Sequence, residues 1–429
     1  MKQYHKDSKL LALIKRIYYS PRFKWIRTRY YLGRYDDILA KIQHKQKIRI
    51  VFFVVSLSMW KYESLVRLLL KNNRFDVRII PFPYPWHTKD EQKYFEEQII
   101  DYCIENEFPY QIAYNPETQE YIPAEELDAD MITYSQHYNG GYNFWKIEKF
   151  WKKSLFFCTP YGIPIDTKPE FNNTLLHNVS WRIFYPTLIS KPIFQSNRLT
   201  HGRNFVYTGN PIFDHLKNCK GIGKDWKIAS HTHKRVIWAP HHSIGENDLL
   251  PFSSFLEICD DMIKLAQKYS DSIQFVFKPH PFLKERLVKL WGEARSEKYY
   301  QQWNELSNAA YVSGEYIDLF KTSDAMIHDC ASFTAEYLFT LKPVLYLSKP
   351  GVEQHLTAFS RLCYNCQYKG RTIGDIEKFL NETVIEGDDP MRIQREKFYC
   401  DELVPPGNKS VGENMYESFL SLVKPVNNE

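Results

Sequence analysis

The chain has 429 residues, 44% apolar and 25% charged, a balance typical of soluble globular proteins. That length allows two core-bearing domains, since single cores rarely grow past roughly 250 to 300 residues. No run approaches the roughly 20 apolar residues of a membrane span, and the N-terminus lacks a signal peptide's apolar core and cleavage site, so a cytoplasmic protein is expected.

Charge is concentrated at one end. Residues 1–50 carry 14 Lys and Arg against 3 Asp, a surplus of 11, whereas the net charge of the whole chain is only +5. Within this end, Leu10, Leu11, Ile14, Ile17 and Tyr18 recur at helical spacing, and Ser20-Pro21 stops that helix. Residues 1–47 are thus predicted to form a basic, helical, amphipathic arm with Phe23, Trp25 and several tyrosines among its cations. Cations beside interfacial aromatics suit a helix lying on an anionic leaflet; the same pattern also fits an arm packed on its own globule. No nucleic-acid partner is expected, because the body is acidic and shows no recognisable binding module.

After the arm, strands alternate with helices. "IRIVFFVV" (48–55) reads as a buried strand, "WKYESLVRLLLKNN" (60–73) as a helix and "FDVRIIPF" (75–82) as a strand. A long helix follows from Asp90 to about Glu105, then short strands at "PYQIAY", "DMITYS" and "SLFFCTP". "YTGNP" (207–211) closes the pattern, and the polar stretch 213–234 reads as a linker. A second series opens with "RVIWAP" and continues through strands "IQFVFK", "AAYVSG", "DAMIHD" and "PVLYL", with helices between and a helical tail from 374. The expected class is α/β: two Rossmann-like domains, 48–212 and 235–429, facing a cleft.

Three segments of the second series leave strands with chemistry on them: "WAPHHS" (238–243), "KPHP" (278–281) and "HDCASFTAEY" (328–337). In open parallel sheets ligands bind beyond the carboxyl ends of strands, which is where Lys278 and His280 emerge. Pro279 and Pro281 stiffen that exit, because proline fixes φ and donates no hydrogen bond. A rigid exit displaying Lys and His suits a phosphate; it equally suits a turn with solvated side chains. Ser332 begins a predicted helix, with Thr334 in its first turn and Glu336 one turn on, and such a start offers N–H groups to phosphate or simply to a capping hydroxyl.

Metal chemistry is expected to be absent. His241 and His242 are adjacent on a segment read as extended and should point to opposite sides, and no H-E-x-x-H spacing occurs. Of the eight cysteines only Cys363 and Cys366 form a C-x-x-C, with no second pair to complete a zinc site, so both are read as packing. Walker, G-x-G-x-x-G and G-x-S-x-G motifs are missing, which removes simple kinase, dehydrogenase and hydrolase readings.

Over about 140 residues the second half resembles the CDP-glycerol glycerophosphotransferases, GT-B enzymes that build teichoic-acid-like polymers. The resemblance rests on "WAPHHS", on K-P-H-P after a strand, on "YTGNP", and on "SGEYIDLFKTSDAMIHDCASFTAEYLFTLKPVLYL" (313–347). It implies that His280 contacts the phosphate under attack and that Ser332 and Thr334 hold phosphate oxygens. Glu336 would accept from the ribose, with Lys278, His241, His242 and Asp329 completing the donor side. The family's W-H-G-x-P appears here as "TPYGIP" (159–164), with Tyr161 and Gly162 on the acceptor side. A phenol near pKa 10 is a poor base at neutral pH, and His137 in "YSQHYNGGYN" is the substitute expected. The implied reaction moves an alditol phosphate from a CDP-linked donor to an envelope polymer or lipid-linked acceptor at the inner face of the membrane, releasing CMP without a cofactor. A glycosyltransferase using a sugar nucleotide and a catalytically silent partner of an envelope-polymer complex are the alternatives.

Overall fold

The computed structural model describes residues 21–85, 87–136, 143–162, 173–197, 199–229, 232–245, 252–330 and 332–423. Two six-stranded parallel sheets organise it. The first contains β1 (Ile48–Val54), β2 (Phe75–Pro81), β3 (Met131–Tyr134), β4 (Leu155–Cys158), β5 (Ser180–Tyr185) and β6 (Phe205–Tyr207), in the order β2-β1-β3-β4-β5-β6. The second contains β7 (Lys234–Ala239), β8 (Ile273–Phe277), β9 (Ala309–Tyr311), β10 (Ala325–His328), β11 (Val344–Leu347) and β12 (Tyr368–Gly370), in the order β12-β11-β10-β7-β8-β9. The runs read as buried strands are buried: β8 has no residue outside the core, and β1 has only Arg49 part-exposed. Both faces of each sheet are covered by helices, which is why these strands carry continuous rather than alternating hydrophobicity.

The second sheet reverses direction between β7 and β10, the first between β1 and β3. Such switch points open a crevice at the carboxyl ends of the strands. "WAPHHS" and "HDCAS" leave the two strands that flank the second crevice, and "KPHP" leaves the neighbouring β8.

Several expectations need correction. "PYQIAY" is not a strand; it touches β2 through one bridge, Ile79 to Tyr110, and then folds back through a bridge from Tyr114 to Tyr121. The stretch 213–234 is no loose linker: the helix Ile212–Asn218 opens it, and Asp318 accepts from the N–H groups of Ile222 and Gly223 at 2.7 and 2.8 Å, pinning the rest to the second domain. Nor does the chain after 235 stay with the second sheet. The helix Val411–Leu420 returns to the first domain and buries Val411, Met415 and Phe419 in its core. Asp214 secures that return by accepting from the N–H groups of Val411 and Gly412, which a helix start leaves unpaired.

The predicted arm helix at 10–18 lies outside the described residues. Beyond it, Pro21 occupies the first position of the helix Pro21–Leu32, where a missing N–H costs nothing. One face of this helix is packed, with Thr28 and Tyr31 fully buried, whereas Trp25, Ile26 and Tyr30 remain exposed. Among the described residues no helix is long and apolar enough to cross a membrane.

Candidate active site

The three strand ends are tied together by backbone hydrogen bonds. Lys278 N–H donates to the Trp238 carbonyl and His280 N–H to that of Pro240, so "KPHP" runs beside "WAPHH" past the sheet edge. On the other side, Cys330 Sγ lies 2.9 Å from the Ala239 carbonyl. Asp329 completes the clamp from the interior, accepting from His241 N–H on Oδ1 and from Ser254 N–H on Oδ2. Expected on the donor side, Asp329 is buried with both oxygens engaged by backbone. It shapes the loop that carries the histidines. Burial, opposed by those hydrogen bonds, pushes its pKa up to about 7.

His241 and His242 do not diverge. The chain bends after Pro240 instead of continuing extended, and the two rings lie 4.3 Å apart, with His280 at 5.2 and 4.2 Å from them. One ring nitrogen of each falls within 4.8 Å of the others, a grouping that could hold a metal ion. The hydrogen bonds around the rings set their polarity. His241 Nδ1 accepts from Ser243 N–H and His280 Nδ1 from Phe282 N–H, both at 3.2 Å. A neutral imidazole that accepts on Nδ1 carries its proton on Nε2. Metal-binding histidines show the reverse, with the far nitrogen donating to a carbonyl or carboxylate. As arranged, His280 offers an Nε2–H donor, the complement of a phosphate oxygen.

Lys278 is buried at the strand end, and burial draws its pKa down to about 8 against the pull of Glu315, Cys330 and Asp225. Burial, then the charges of His242, His241, Lys278 and Arg286, drive His280 well below the ordinary histidine range. His280 is therefore a neutral donor at physiological pH, and the positive charge near it comes from Lys278 and Arg286.

Facing these donors is the segment after β10. Its helix is a single α-turn, Phe333–Glu336, continuing as a tighter turn, Tyr337–Thr340, and Ser332 makes no side-chain cap. The dipole expected from a full helix start is accordingly reduced, since it sums over aligned peptides. Thr334 is buried and donates its hydroxyl proton back to the Cys330 carbonyl at 2.9 Å, so it braces the turn, and that proton is not directed at a phosphate oxygen. Glu336 is buried, and Tyr316 Oη donates to its Oε2 at 2.6 Å.

The first domain reaches this segment directly. A Cβ placed on Gly162 would stand 3.4 Å from Ser332 Cβ and 3.8 Å from Glu336 Oε1, so the "TPYG" loop closes over the Ser332–Glu336 turn. Tyr161 is part-buried beside it, and His137 lies outside the described residues. Lys61 also crosses the cleft: its Nζ donates to Tyr316 Oη at 3.1 Å. Neither Lys61 nor Tyr316 was singled out from the sequence. Both follow the carboxyl ends of strands, β1 and β9, so the positional rule that flagged "KPHP" could have found them. Cys363 and Cys366 are buried and unbridged, in keeping with packing.

Residues 169–354 match the sequence profile of the family described as CDP-glycerol:poly(glycerophosphate) glycerophosphotransferase, a stretch that contains all three strand ends. Over that stretch the chain is similar to the CDP-glycerol glycerophosphotransferases. Its structure is similar to that of the wall teichoic acid polymerase TagF, with a TM-score of 0.56 at 13% identity over 92% of this chain and 96% of that one. It is also similar to the UDP-GlcNAc 2-epimerase of Neisseria meningitidis bound to UDP-GlcNAc (TM-score 0.53, 14% identity, 87% and 99% covered). The S. aureus MnaA–UDP complex gives 0.51 at 16% identity over 88% and 99%. No curated protein matches the chain by sequence. The glycerophosphotransferase-like enzyme thus has the GT-B architecture, two Rossmann-like domains with the candidate site at their facing strand ends.

Proposed function

We propose that this glycerophosphotransferase-like enzyme transfers an alditol phosphate, glycerol phosphate foremost, from a CDP-linked donor to a hydroxyl of a cell-envelope acceptor, as in teichoic-acid assembly. The observation that carries the reading is the convergence of buried Lys278 and the Nε2–H of His280 at the switch-point crevice, opposite a buried carboxylate on Glu336. The first two complement a pyrophosphate; Glu336 complements the hydroxyls of a ribose. In the reaction the acceptor oxygen bonds to the donor's β-phosphorus, and the bond from that phosphorus to the bridging oxygen breaks. CMP departs with the bonding pair, and the acceptor's proton passes to a base on the first domain, for which His137 is the candidate by sequence position. Such a displacement needs positioning and charge stabilisation more than covalent help.

The acceptor side is the first domain, where Tyr161 and Gly162 close on the donor turn. The exposed Trp25, Ile26 and Tyr30, with Arg29 and Arg34 stacked over Trp25 and Tyr30, support work at an anionic membrane surface. The deciding experiment offers the purified protein CDP-glycerol, CDP-ribitol and several UDP- and GDP-sugars, each with a glycerol-phosphate-primed lipid. Transfer at phosphorus releases CMP from a CDP-alditol. Release of UDP or GDP from a sugar nucleotide overturns this reading in favour of a glycosyltransferase.

A further inference from the structure

We propose that Lys61 and Tyr316 are positioning residues that hold Glu336 as an ionised acceptor for the nucleotide's ribose, so that the donor site is complete only when the two domains are closed. The inference rests on the reading of Glu336 as the ribose contact.

The hydrogen-bond chain has only one consistent polarity. Lys61 Nζ lies 3.1 Å from Tyr316 Oη, and Tyr316 Oη lies 2.6 Å from Glu336 Oε2. An ammonium has protons and no lone pair, so it must donate to the phenol; the phenol's one proton is then left for Glu336 Oε2, which accepts it most strongly as a carboxylate. A protonated Glu336 turned toward Tyr316 would leave the phenol proton without an acceptor. All three groups are buried, with 6%, 8% and 3% of their surfaces exposed, so an unpaired member would be costly. Phe320 and Phe333 flank the Tyr316 ring at 4.9 and 5.1 Å and fix the phenol in place, and the Lys61 amine sits 5.5 Å from the same ring.

Oε2 is occupied by this chain of bonds, whereas Oε1 faces Gly162, a Cβ on which would stand 3.8 Å away. Lys61 leaves β1 of the first domain; Tyr316 and Glu336 follow β9 and β10 of the second. Opening the domains would withdraw the ammonium from the phenol and leave a buried carboxylate without its cation. The charged and titratable groups around Glu336 are Lys61, Tyr316 and Glu315. Burial, the largest effect, holds the Glu336 pKa above the ordinary carboxylate value and the Glu315 charge adds to it, while Lys61 and the Tyr316 hydrogen bond counter that rise.

The test is titration of the full-length protein with CMP, CDP-glycerol and 2′,3′-dideoxy-CMP across pH, by calorimetry. Tyr316→Phe, which keeps the ring and its packing, and Lys61→Met should each weaken CMP binding about tenfold or more near neutral pH. Both should also move the acid limb of the affinity–pH curve to higher pH, and Lys61→Arg should restore it. A role confined to stability would not move that limb. If Glu336→Gln binds CMP as wild type does, the ribose reading of Glu336 fails. If Glu336→Gln weakens CMP but not the dideoxy analogue, while Tyr316→Phe and Lys61→Met leave the affinity and its acid limb unchanged, the ribose reading stands and the positioning role is overturned.

Discussion

Substituting Gly412 by alanine sets helix propensity directly against packing. Alanine in a helix is favoured over glycine by about 1 kcal/mol, so propensity alone predicts a more stable protein. The structure predicts the opposite. A Cβ on Gly412 would lie 2.5 Å from Ser64 Cβ, 2.7 Å from the Ser64 carbonyl carbon and 3.0 Å from Leu65 N, in the helix Glu63–Leu70. Carbon atoms in contact sit about 3.5 to 4.0 Å apart, so the two helices must part by about 1 Å. Two of these atoms are backbone and cannot turn aside. Overpacking of this kind costs about 1 to 3 kcal/mol. Parting the helices also strains the Asp214 bonds to Val411 and Gly412, where a hydrogen bond to a charged group contributes about 1.5 to 3 kcal/mol. We expect a net loss of about 1 to 3 kcal/mol, read as a lower urea midpoint of unfolding. Gly374, in the helix Ile373–Lys378, is the control: its nearest neighbour would be Thr372 Oγ1 at 3.7 Å, an ordinary contact. Gly374→Ala should hold or raise the midpoint. A midpoint for Gly412→Ala equal to or above wild type would refute the close-approach argument.

His280→Ala should lower turnover on the order of 100-fold or more with the fold intact, if its Nε2–H stabilises charge at phosphorus, and full activity in the folded variant removes it from the mechanism. Nucleotide affinity should fall as pH rises through about 8, where Lys278 loses its charge, and Lys278→Arg, always cationic, should flatten that limb; a wild-type curve already flat there refutes the assignment. Asp329 has a folded pKa raised to about 7, so its contribution to stability is full below the unfolded value of 3.8 and is lost as pH rises toward 7. Asp329→Asn should remove that slope from the stability–pH curve, and an unchanged slope would assign it to other groups. Replacing Trp25 and Ile26 together by glutamate should reduce cosedimentation with phosphatidylglycerol vesicles several-fold, whereas undiminished binding would leave their helix a packing role alone.

The sequence by itself determined the strands whose hydrophobicity is local and continuous. β1, β8 and β10, and β7 beyond Lys234 and Arg235, are buried on both faces, so each is written as a short apolar run that needs no knowledge of its neighbours. It also placed Lys278 and His280 at a strand end and Glu336 in the turn that follows another, because a ligand crevice in a parallel sheet follows from strand direction and connection. β12 and the Val411–Leu420 helix were different: one is a three-residue edge strand, and the other returns to the first domain through Asp214 and the Gly412 contact, nearly 200 residues from Asp214 in sequence. Local pattern carries no record of such a partner. The tertiary structure likewise decided the histidines. Whether His241 and His242 diverge or meet His280 depends on the bend that Asp329 holds from another strand. Lys61, Tyr316 and Glu336, 255 and 20 residues apart along the chain, become one hydrogen-bonded unit only when two independently patterned sheets are brought face to face. Side-chain proton positions there are fixed by what each group meets across the cleft, and that is a property of the assembled pair of domains.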